Sequence, residues 1–502
     1  MTETEEPLEI TDTADQTSSA TTVITSNALS ETINTTTYSV FIPDFQSVQP
    51  SLLSSTKDRY NDTIQNSLRK DRSVIQQTMD IDRQPHHNNF FRNVKWSPDG
   101  NYLLSNSADD VIRLFQLPSN AYESTEDRTI QDSGTFMMEP LMGIREGESV
   151  YDFAWYPLMN SQDPSTCCFL TSVKDHPVQL WDMNTGTVQS SYSVIDHCER
   201  FIGPNVITFN PDGTKIYCGY ENMIDIFDAY TGDRFKHPTI TTRKKAKKGQ
   251  KGLISCLDFS PVDSLYAAGS YSQSIGIYDT HNNELCLKLV GFEGTGVTQV
   301  KFARDGYYLF SASRHANSIL CWDIRDSANV LYELPRPGKT NQRIQFDLDV
   351  SGKYLLTGDD KGQLLVYDVT TATPHTTAED GSAMATARET EIEESKQRLV
   401  SSFIAHHDIL SGTSFNPVYP VVATCSGQRK FKIPDSSDDD DMDDDDDKDN
   451  DKKMLTHDDS VIDNSLKVWK LPGQYEWYTY DAPTTLVEEM ETLTQHQEIS
   501  TV

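Results

Sequence analysis

Long apolar runs, secretion signals and paired cysteines are all missing from the 502-residue sequence. No stretch approaches the roughly 20 apolar residues that a membrane-spanning helix needs. The N-terminal MTETEEPLEI has no basic region followed by an apolar one, so we expect no secretory signal and an intracellular protein. None of the eight cysteines forms a CxxC pair, which predicts reduced thiols rather than disulfides. Four lie within apolar runs and are predicted core residues: Cys218, Cys256, Cys321 and Cys425.

Basic residues are scarce. The chain has 43 Lys and Arg against 76 Asp and Glu, a formal charge of −33. This balance disfavours general phosphate binding, so any nucleic-acid contact requires a local basic patch. The acidity is concentrated: residues 1–35 hold seven acids and no Lys or Arg, and residues 435–451 hold twelve Asp and one Lys.

Catalytic and metal-binding signatures are also absent. We find no nucleophile motif, and GFEGTG (291–296) precedes a predicted strand without the helix and Lys of a phosphate loop. The pairs His86-His87 and His406-His407 are adjacent rather than at ligand spacing. The sequence therefore predicts no enzyme, no cofactor, no metal site and no small-molecule substrate.

A repeat is what the sequence does contain. FFRNVKWSPDGNYLLSNS (90–107), LISCLDFSPVDSLYAAGS (253–270) and VTQVKFARDGYYLFSAS (297–313) share two apolar residues, an aromatic anchor, a polar turn and a second apolar run. Each copy ends on a third strand with an aromatic residue, often followed by Asp, as in Trp181-Asp182 and Trp322-Asp323. The anchors are Trp96, Trp155, Phe209, Phe259, Phe302, Leu348 and Phe415.

Seven copies, with anchor spacings of 50, 43 and 46 residues in the cleanest stretch, predict an all-β, seven-bladed WD40 β-propeller, because this period is typical of four-stranded blades. The predicted organisation is a disordered acidic Ser/Thr-rich tail (1–35), an N-terminal extension (36–87), the propeller (88–472) and a C-terminal extension (473–502). The ring needs one further outer strand in blade seven. TYSVFIP (37–43) is the expected closing strand, with YEWYTY as the other candidate.

Two insertions interrupt the repeat. Residues 371–398 are rich in Thr, Ala and Glu, which predicts a solvated loop in blade six. Residues 434–463 contain the Asp run and fall between the second and third strands of blade seven. This predicts that VVATCSGQR and SLKVWK are neighbours in one sheet. Ser436 and Ser437 precede acids and are candidate sites for an acidophilic kinase.

Aligning the copies selects candidate binding residues on one face. In the loop that leads into the first strand of each copy, one aligned position is apolar in six copies and is Arg343 in the remaining one. Arg314 and Arg429 lie in loops between second and third strands. One interpretation is that each Arg pairs with an acid such as Asp359 or Asp360. The other is RNA binding, because guanidinium groups suit phosphates and base edges and Tyr271 could stack an unpaired base. The candidate site is Tyr271, Arg314, Gln342, Arg343, Gln428 and Arg429.

A second basic feature is RKKAKKGQK (243–251), between blades three and four. It is interpreted as a phosphate-binding loop, a nuclear-localisation patch or a solubilising loop. Six of its nine residues are Lys or Arg, and the candidate contacts are the first five of them: Arg243, Lys244, Lys245, Lys247 and Lys248.

Several motifs resemble the telomerase Cajal body protein family over most of 88–472. They are NNFFRNVKWSPDGNYLLSNSADDVIRLFQLP, GLISCLDFSPVDSLYAAGSYSQSIGIYD, SASRHANSILCWDIR, KTNQRIQFDLDVSGKYLLTG and CSGQR. The resemblance implies a nuclear scaffold that binds small Cajal-body RNAs and telomerase RNA at a CAB box. It also implies that the scaffold directs these particles to Cajal bodies and supports telomerase function. Arg343 and Arg429 lie inside the matching motifs. The alternative is a WD-repeat adaptor that binds basic chromatin or splicing proteins.

Overall fold

Six four-stranded antiparallel sheets and one five-stranded sheet form the blades in the computed structural model. The structure describes residues 35–56, 89–118, 121, 136–195, 199–235, 249–291, 294–325, 330–338, 340–370, 398–429 and 463–481. Apart from a two-stranded sheet of the terminal segments, all the strands belong to one compact unit, Pro43–Gly473. The predicted seven-bladed propeller is therefore confirmed.

Each blade begins with an innermost strand that ends on the predicted anchor. These strands are Phe91–Trp96 (β3), Val150–Trp155 (β8), Val206–Phe209 (β12), Ile254–Phe259 (β16), Val297–Phe302 (β20), Phe346–Leu348 (β24) and Leu410–Phe415 (β28). The second strands are Tyr102–Ser107 (β4), Cys168–Val173 (β9), Lys215–Tyr220 (β13), Leu265–Ser270 (β17), Tyr308–Ser313 (β21), Tyr354–Gly358 (β25) and Val421–Ser426 (β29).

The third strands carry the aromatic residue of each copy. They are Val111–Gln116 (β5), Val178–Asp182 (β10), Met223–Asp228 (β14), Ser274–Asp279 (β18), Ser318–Asp323 (β22), Gln363–Asp368 (β26) and Leu466–Lys470 (β30). The fourth strands of blades one to six are Met142–Arg145 (β7), Thr187–Tyr192 (β11), Arg234–Phe235 (β15), Leu285–Val290 (β19), Val330–Pro335 (β23) and Leu399–Ile404 (β27).

The hydrophobic core lies between successive blades. One cluster joins blade seven to blade one through Val421, Cys425 and Val468 on one side and Phe91 and Trp96 on the other. The indole N–H of Trp96 donates to the Ser414 carbonyl across the same junction (3.1 Å). All four cysteines predicted for the core are buried. Face-to-face packing of apolar sheet surfaces therefore holds the ring together.

Blade seven is completed by a strand that the sequence reasoning missed. Ser51–Ser55 (β2) pairs with β30, and Phe136–Met137 (β6) adds a short parallel strand outside it. The expectation that TYSVFIP closes the ring is wrong. Thr35–Pro43 (β1) instead pairs with Gly473–Asp481 (β31), so both candidate segments form a separate two-stranded sheet. TYSVFIP has the higher strand propensity, but SLLSS supplies the buried Leu53 that packs into the cluster between blades seven and one.

The insertion in blade seven leaves its sheet intact. β29 and β30 pair antiparallel, as predicted, although the Asp run separates them in sequence. A buried network joins them: the Trp469 indole donates to Thr424 Oγ1 (2.8 Å), and His406 Nε2 lies 2.8 Å from the same oxygen. Asp463 accepts the His407 backbone N–H (2.8 Å) and lies 3.7 Å from His406 Nδ1. The two strands that flank the insertion are therefore joined by buried side-chain hydrogen bonds as well as by their backbone pairing.

Candidate nucleic-acid interface

Two kinds of loop form one face of the propeller, which we call the rim. They are the loops that lead into the innermost strands and the loops between second and third strands. They open on the same side because the strands within each blade alternate in direction. Every predicted site residue lies in a rim loop, on blades four to seven.

Tyr271, Arg314 and Arg343 come together although they belong to three different blades. Arg314 Nη2 donates to the Tyr271 hydroxyl at 2.9 Å, and Arg343 Nη2 donates to the same oxygen at 3.0 Å. The guanidinium carbon of Arg314 lies 4.8 Å from the Tyr271 ring centroid, and that of Arg343 lies at 6.0 Å. One phenol therefore positions two cations, through its oxygen and its ring face.

Backbone contacts fix this cluster. The Tyr271 N–H donates to the Leu253 carbonyl (2.9 Å), and the Arg314 N–H donates to the Gly296 carbonyl (2.8 Å). A Cβ on Gly296 would lie 2.8 Å from the Tyr271 Cα, so only glycine fits there. The last glycine of GFEGTG thus serves the close approach of blade five to Tyr271.

Arg343 is partly buried and has no carboxylate in ion-pair contact among the described residues. Burial lowers the pKa of Arg343, whereas the Tyr271 hydroxyl and Asp152 raise it, and the net pKa lies above the ordinary value. Among the described residues, Arg314, Arg343 and Arg429 form no ion pair. Asp359, one proposed partner, instead accepts the backbone N–H groups of Lys361 and Gln363. The interpretation that these arginines pair with nearby acids is wrong within this part of the chain.

The two predicted glutamines support the loop that carries Arg429. Gln342 Nε2 donates to the Gly427 carbonyl (2.7 Å), which links blade six to blade seven. Gln428 Nε2 donates to Asp408 Oδ1 (2.7 Å). Gly427 has φ +117°, and a Cβ there would lie 2.5 Å from Phe90 Cβ on blade one. Arg429 itself is exposed at the end of this fixed loop.

Arg92 is a rim residue that the sequence reasoning missed. It is the second residue of β3, and its guanidinium lies 3.7 Å from Asp110. Burial lowers the pKa of Arg92, Asp110 raises it and Arg429 lowers it, so its pKa lies below the ordinary value. The repulsion means that Arg92 and Arg429 are within electrostatic reach across the junction of blades one and seven. Arg92 directly follows Phe91, the residue of the first copy that aligns with Arg343. A comparison that included the next residue of each copy would have selected it.

Other predicted features lie outside the described residues. They are the basic residues Arg243, Lys244, Lys245, Lys247 and Lys248, the phosphosite candidates Ser436 and Ser437, and nearly all of both insertions. In the described ranges, no group of three or more His, Cys, Asp or Glu side chains is arranged to hold a metal ion. No helix in those ranges is long and apolar enough to cross a membrane.

Comparison with known proteins identifies the family. The family model described as WD domain, G-beta repeat matches residues 80–116 and 242–279. The chain is 35% identical over 352 residues to Telomerase Cajal body protein 1 of Mesocricetus auratus, across 70% of this chain and 61% of that protein. It is 31% identical over 346 residues to the Drosophila melanogaster Telomerase Cajal body protein 1 homolog, across 67% and 56%.

A yeast relative is similar over more of its own length. The chain is 34% identical over 281 residues to Guanine nucleotide-binding protein negative regulator 1 of Schizosaccharomyces pombe, across 54% of this chain and 69% of that protein. The chain spans about three fifths of the Mesocricetus auratus relative (61%). The repeat, the seven-bladed ring and these similarities agree: the chain belongs to the telomerase Cajal body protein family of WD-repeat propellers.

Proposed function

We propose that this chain is a nuclear, non-enzymatic scaffold whose rim binds single-stranded segments of small Cajal-body RNAs and telomerase RNA, of the CAB-box type. The observation that carries the proposal is the cluster of Arg314 and Arg343 on the Tyr271 hydroxyl. In a chain with a net charge of −33, these cations have no carboxylate partner among the described residues.

The chemistry of the cluster favours RNA. A guanidinium has five N–H donors in a rigid fork. Each of these two arginines donates to Tyr271 through one nitrogen, so its other donors remain for phosphate or base edges. The Arg314 Nε is buried and has no hydrogen-bond partner among the described residues. Tyr271 acts in this proposal as a support for both guanidinium groups, because Arg314 already covers its ring.

Arg429 and Arg92 extend the proposed site along the rim. Blades five, six, seven and one each place one arginine there, and Arg429 has no partner within the described residues. A flexible single strand can follow such a series, since its phosphates and unstacked bases are reachable together.

The cellular role follows from the same proposal. Relatives are named for telomerase and for the Cajal body, and we extend both associations to this chain. The partners would be small Cajal-body RNA and telomerase RNA with their ribonucleoprotein proteins. The chain would then direct particle assembly and localisation.

Crosslinked immunoprecipitation with RNA sequencing tests the proposal. Wild-type protein should enrich small Cajal-body RNAs and telomerase RNA, and random fragments would contradict it. Arg343→Lys combined with Arg429→Glu should lower affinity for the enriched RNA at least tenfold, because a lysine cannot replace the fork. The matched control is Lys174→Glu on the rim of blade two, where the exposed Lys174 lies 3.9 Å from Glu148. If the folded double variant bound RNA as wild type does, Arg343 and Arg429 would not belong to the RNA-binding site.

A further inference from the structure

The face opposite the rim, which we call the underside, is built from turns of one repeated design. In five blades an Asp at the end of the third strand accepts the backbone N–H of the residue two positions later, at 2.8–2.9 Å. The residues at that second position are Asn184, Tyr230, His281, Arg325 and Thr370. At Tyr230 the backbone N–H completes the turn, so the side chain is available for other contacts.

Blade five shows one use of that position. The Arg325 guanidinium pairs with Asp323 at 2.7 Å and lies 4.6 Å from the ring centroid of Tyr307 and 5.5 Å from that of Tyr308. An arginine of the chain itself therefore fills an environment of aromatic faces and a carboxylate.

Blades two and three present two tyrosine rings and nearby carboxylates, and no Lys or Arg of the described ranges lies over either ring. Tyr230 is 75% exposed, and its hydroxyl lies 3.5 Å from that of Tyr156 on the neighbouring blade. Tyr156 is held edge-on against Phe209, with centroids 5.5 Å apart. Asp212 is exposed in the turn that packs on Tyr156, and Asp233 is exposed in the turn that carries Tyr230; neither pairs with Lys or Arg in the described part of the chain.

The surface is rigid before any partner binds. Asp228 accepts the N–H groups of Tyr230 (2.9 Å) and Thr231 (2.8 Å), and the Ala229 N–H donates to the Thr214 carbonyl (2.8 Å). A Cβ on Gly213 would lie 2.4 Å from the Tyr156 ring, so the turn carrying Asp212 packs directly against that ring. Because the backbone of this turn is already fixed, binding would order mainly the Tyr230 side chain and would cost little backbone entropy.

We propose that Tyr156, Tyr230, Asp212 and Asp233, together called the tyrosine surface, bind an arginine-bearing segment of a protein partner. The guanidinium would stack on Tyr230 and donate to a carboxylate, as Arg325 does within blade five. Exposed Leu158, on the same side of blade two, would contact an apolar neighbour of that arginine. The tyrosine surface faces away from the rim, so this proposal does not rest on RNA binding.

Fluorescence anisotropy tests this inference with the full chain at about 0.15 M salt. The probes are a fluorescein-labelled peptide of four Arg-Gly repeats and its Lys-Gly counterpart. Tyr230→Ala should weaken binding of the Arg-Gly peptide about fivefold, and Asp212→Asn about twofold. The Lys-Gly peptide should bind the wild-type protein more weakly, and the two substitutions should change its affinity less. Asn184→Ala, at the same turn position in blade two, is the matched control and should change neither.

The Asp run would attract both peptides, so each protein is also tested with 435–453 replaced by a Gly-Ser linker. Equal affinity of wild type and Tyr230→Ala for the Arg-Gly peptide in this background would overturn the proposal. So would equal responses of the two peptides, which would indicate charge attraction alone. Displacement of the peptide by small RNA, or dimerisation that Tyr230→Ala abolishes, would assign the surface to RNA or to a second copy and overturn it as well.

Discussion

The rim of blades four to seven and the underside of blades two and three use tyrosine in opposite ways. On the rim, the Tyr271 hydroxyl accepts two guanidinium donors and Arg314 covers its ring. On the underside, Tyr230 is exposed and its hydroxyl contacts another tyrosine. A tyrosine on a propeller face can thus position the chain's own cations or stay open for those of a partner. The neighbouring blades make the difference: Arg314 and Arg343 reach Tyr271 from blades five and six, whereas Tyr230 meets Tyr156 of blade two.

The two faces also differ in what holds them. Rim loops of blade seven depend on the buried network of His406, Thr424, Asp463 and Trp469, whereas the underside turns depend on local backbone hydrogen bonds. Three changes should separate these contributions, and they are given in order of decreasing effect.

Asp463→Asn should have the largest effect, a loss of about 3 kcal/mol in the free energy of unfolding at pH 7, because it removes a buried carboxylate that pairs with Lys467 at 3.4 Å. Burial raises the pKa of Asp463, but His406, Ser465 and the His407 N–H lower it, and the net pKa lies below 3.8. The carboxylate therefore stabilises the fold fully above pH 3.8 and progressively less as the pH falls below it.

Urea unfolding at pH 7 and near pH 3 measures this effect. The difference between wild type and Asp463→Asn should shrink at the lower pH. Asp175→Asn, an exposed acid on the rim of blade two, is the control and should cost less than about 0.5 kcal/mol. The folded fraction of Asp463→Asn should lose RNA affinity but keep its affinity for the Arg-Gly peptide. If RNA affinity and Arg-Gly peptide affinity fell equally, the rim and the underside would not be stabilised by separate sets of contacts.

Tyr271→Phe should weaken small-RNA binding about fivefold, since it removes the acceptor of both Arg314 and Arg343 at about 1 kcal/mol while keeping the ring. Filter binding with the RNA recovered by crosslinking provides the measurement. The control is Tyr230→Phe on the underside, which should leave RNA affinity unchanged. If Tyr271→Phe binds RNA normally, the hydroxyl does not organise the site.

Deleting 435–453 should have the smallest effect, about a threefold gain in affinity for random RNA at low salt, because the Asp run repels phosphates near Arg429. The run lies outside the described residues, but it begins six positions after Arg429. The melting temperature should not change, since the network around Asp463 closes the sheet without it. Unchanged background binding would make the run a passive loop.

The sequence predicted the blades well because each copy repeats the same local physics, an apolar pair, an anchor and a turn. It failed at the closing strand, because Ser51–Ser55 has no aromatic residue and is recognisable only from its pairing with β30. Arg314, Arg343 and Tyr271 could be assigned to one face by alignment. The contact of Gln342 with Gly427 and the proximity of Arg92 to Arg429 could not, because they arise between blades; nor could the bond of Gln428 to Asp408, which joins two separate loops of blade seven.

The closing strand also has a consequence for how the protein is made. The N–H of Leu466 donates to the hydroxyl of Thr56, 410 positions earlier in the chain. During synthesis the N-terminal strand must therefore wait for almost the whole chain, which takes tens of seconds at about 5–20 residues per second. Until then blade seven does not exist, and the apolar face of blade one that will meet it stays uncovered. A truncation that removes either the N-terminal strand or β30 would leave blade seven incomplete. The ring can therefore close only when nearly the whole chain has been synthesised.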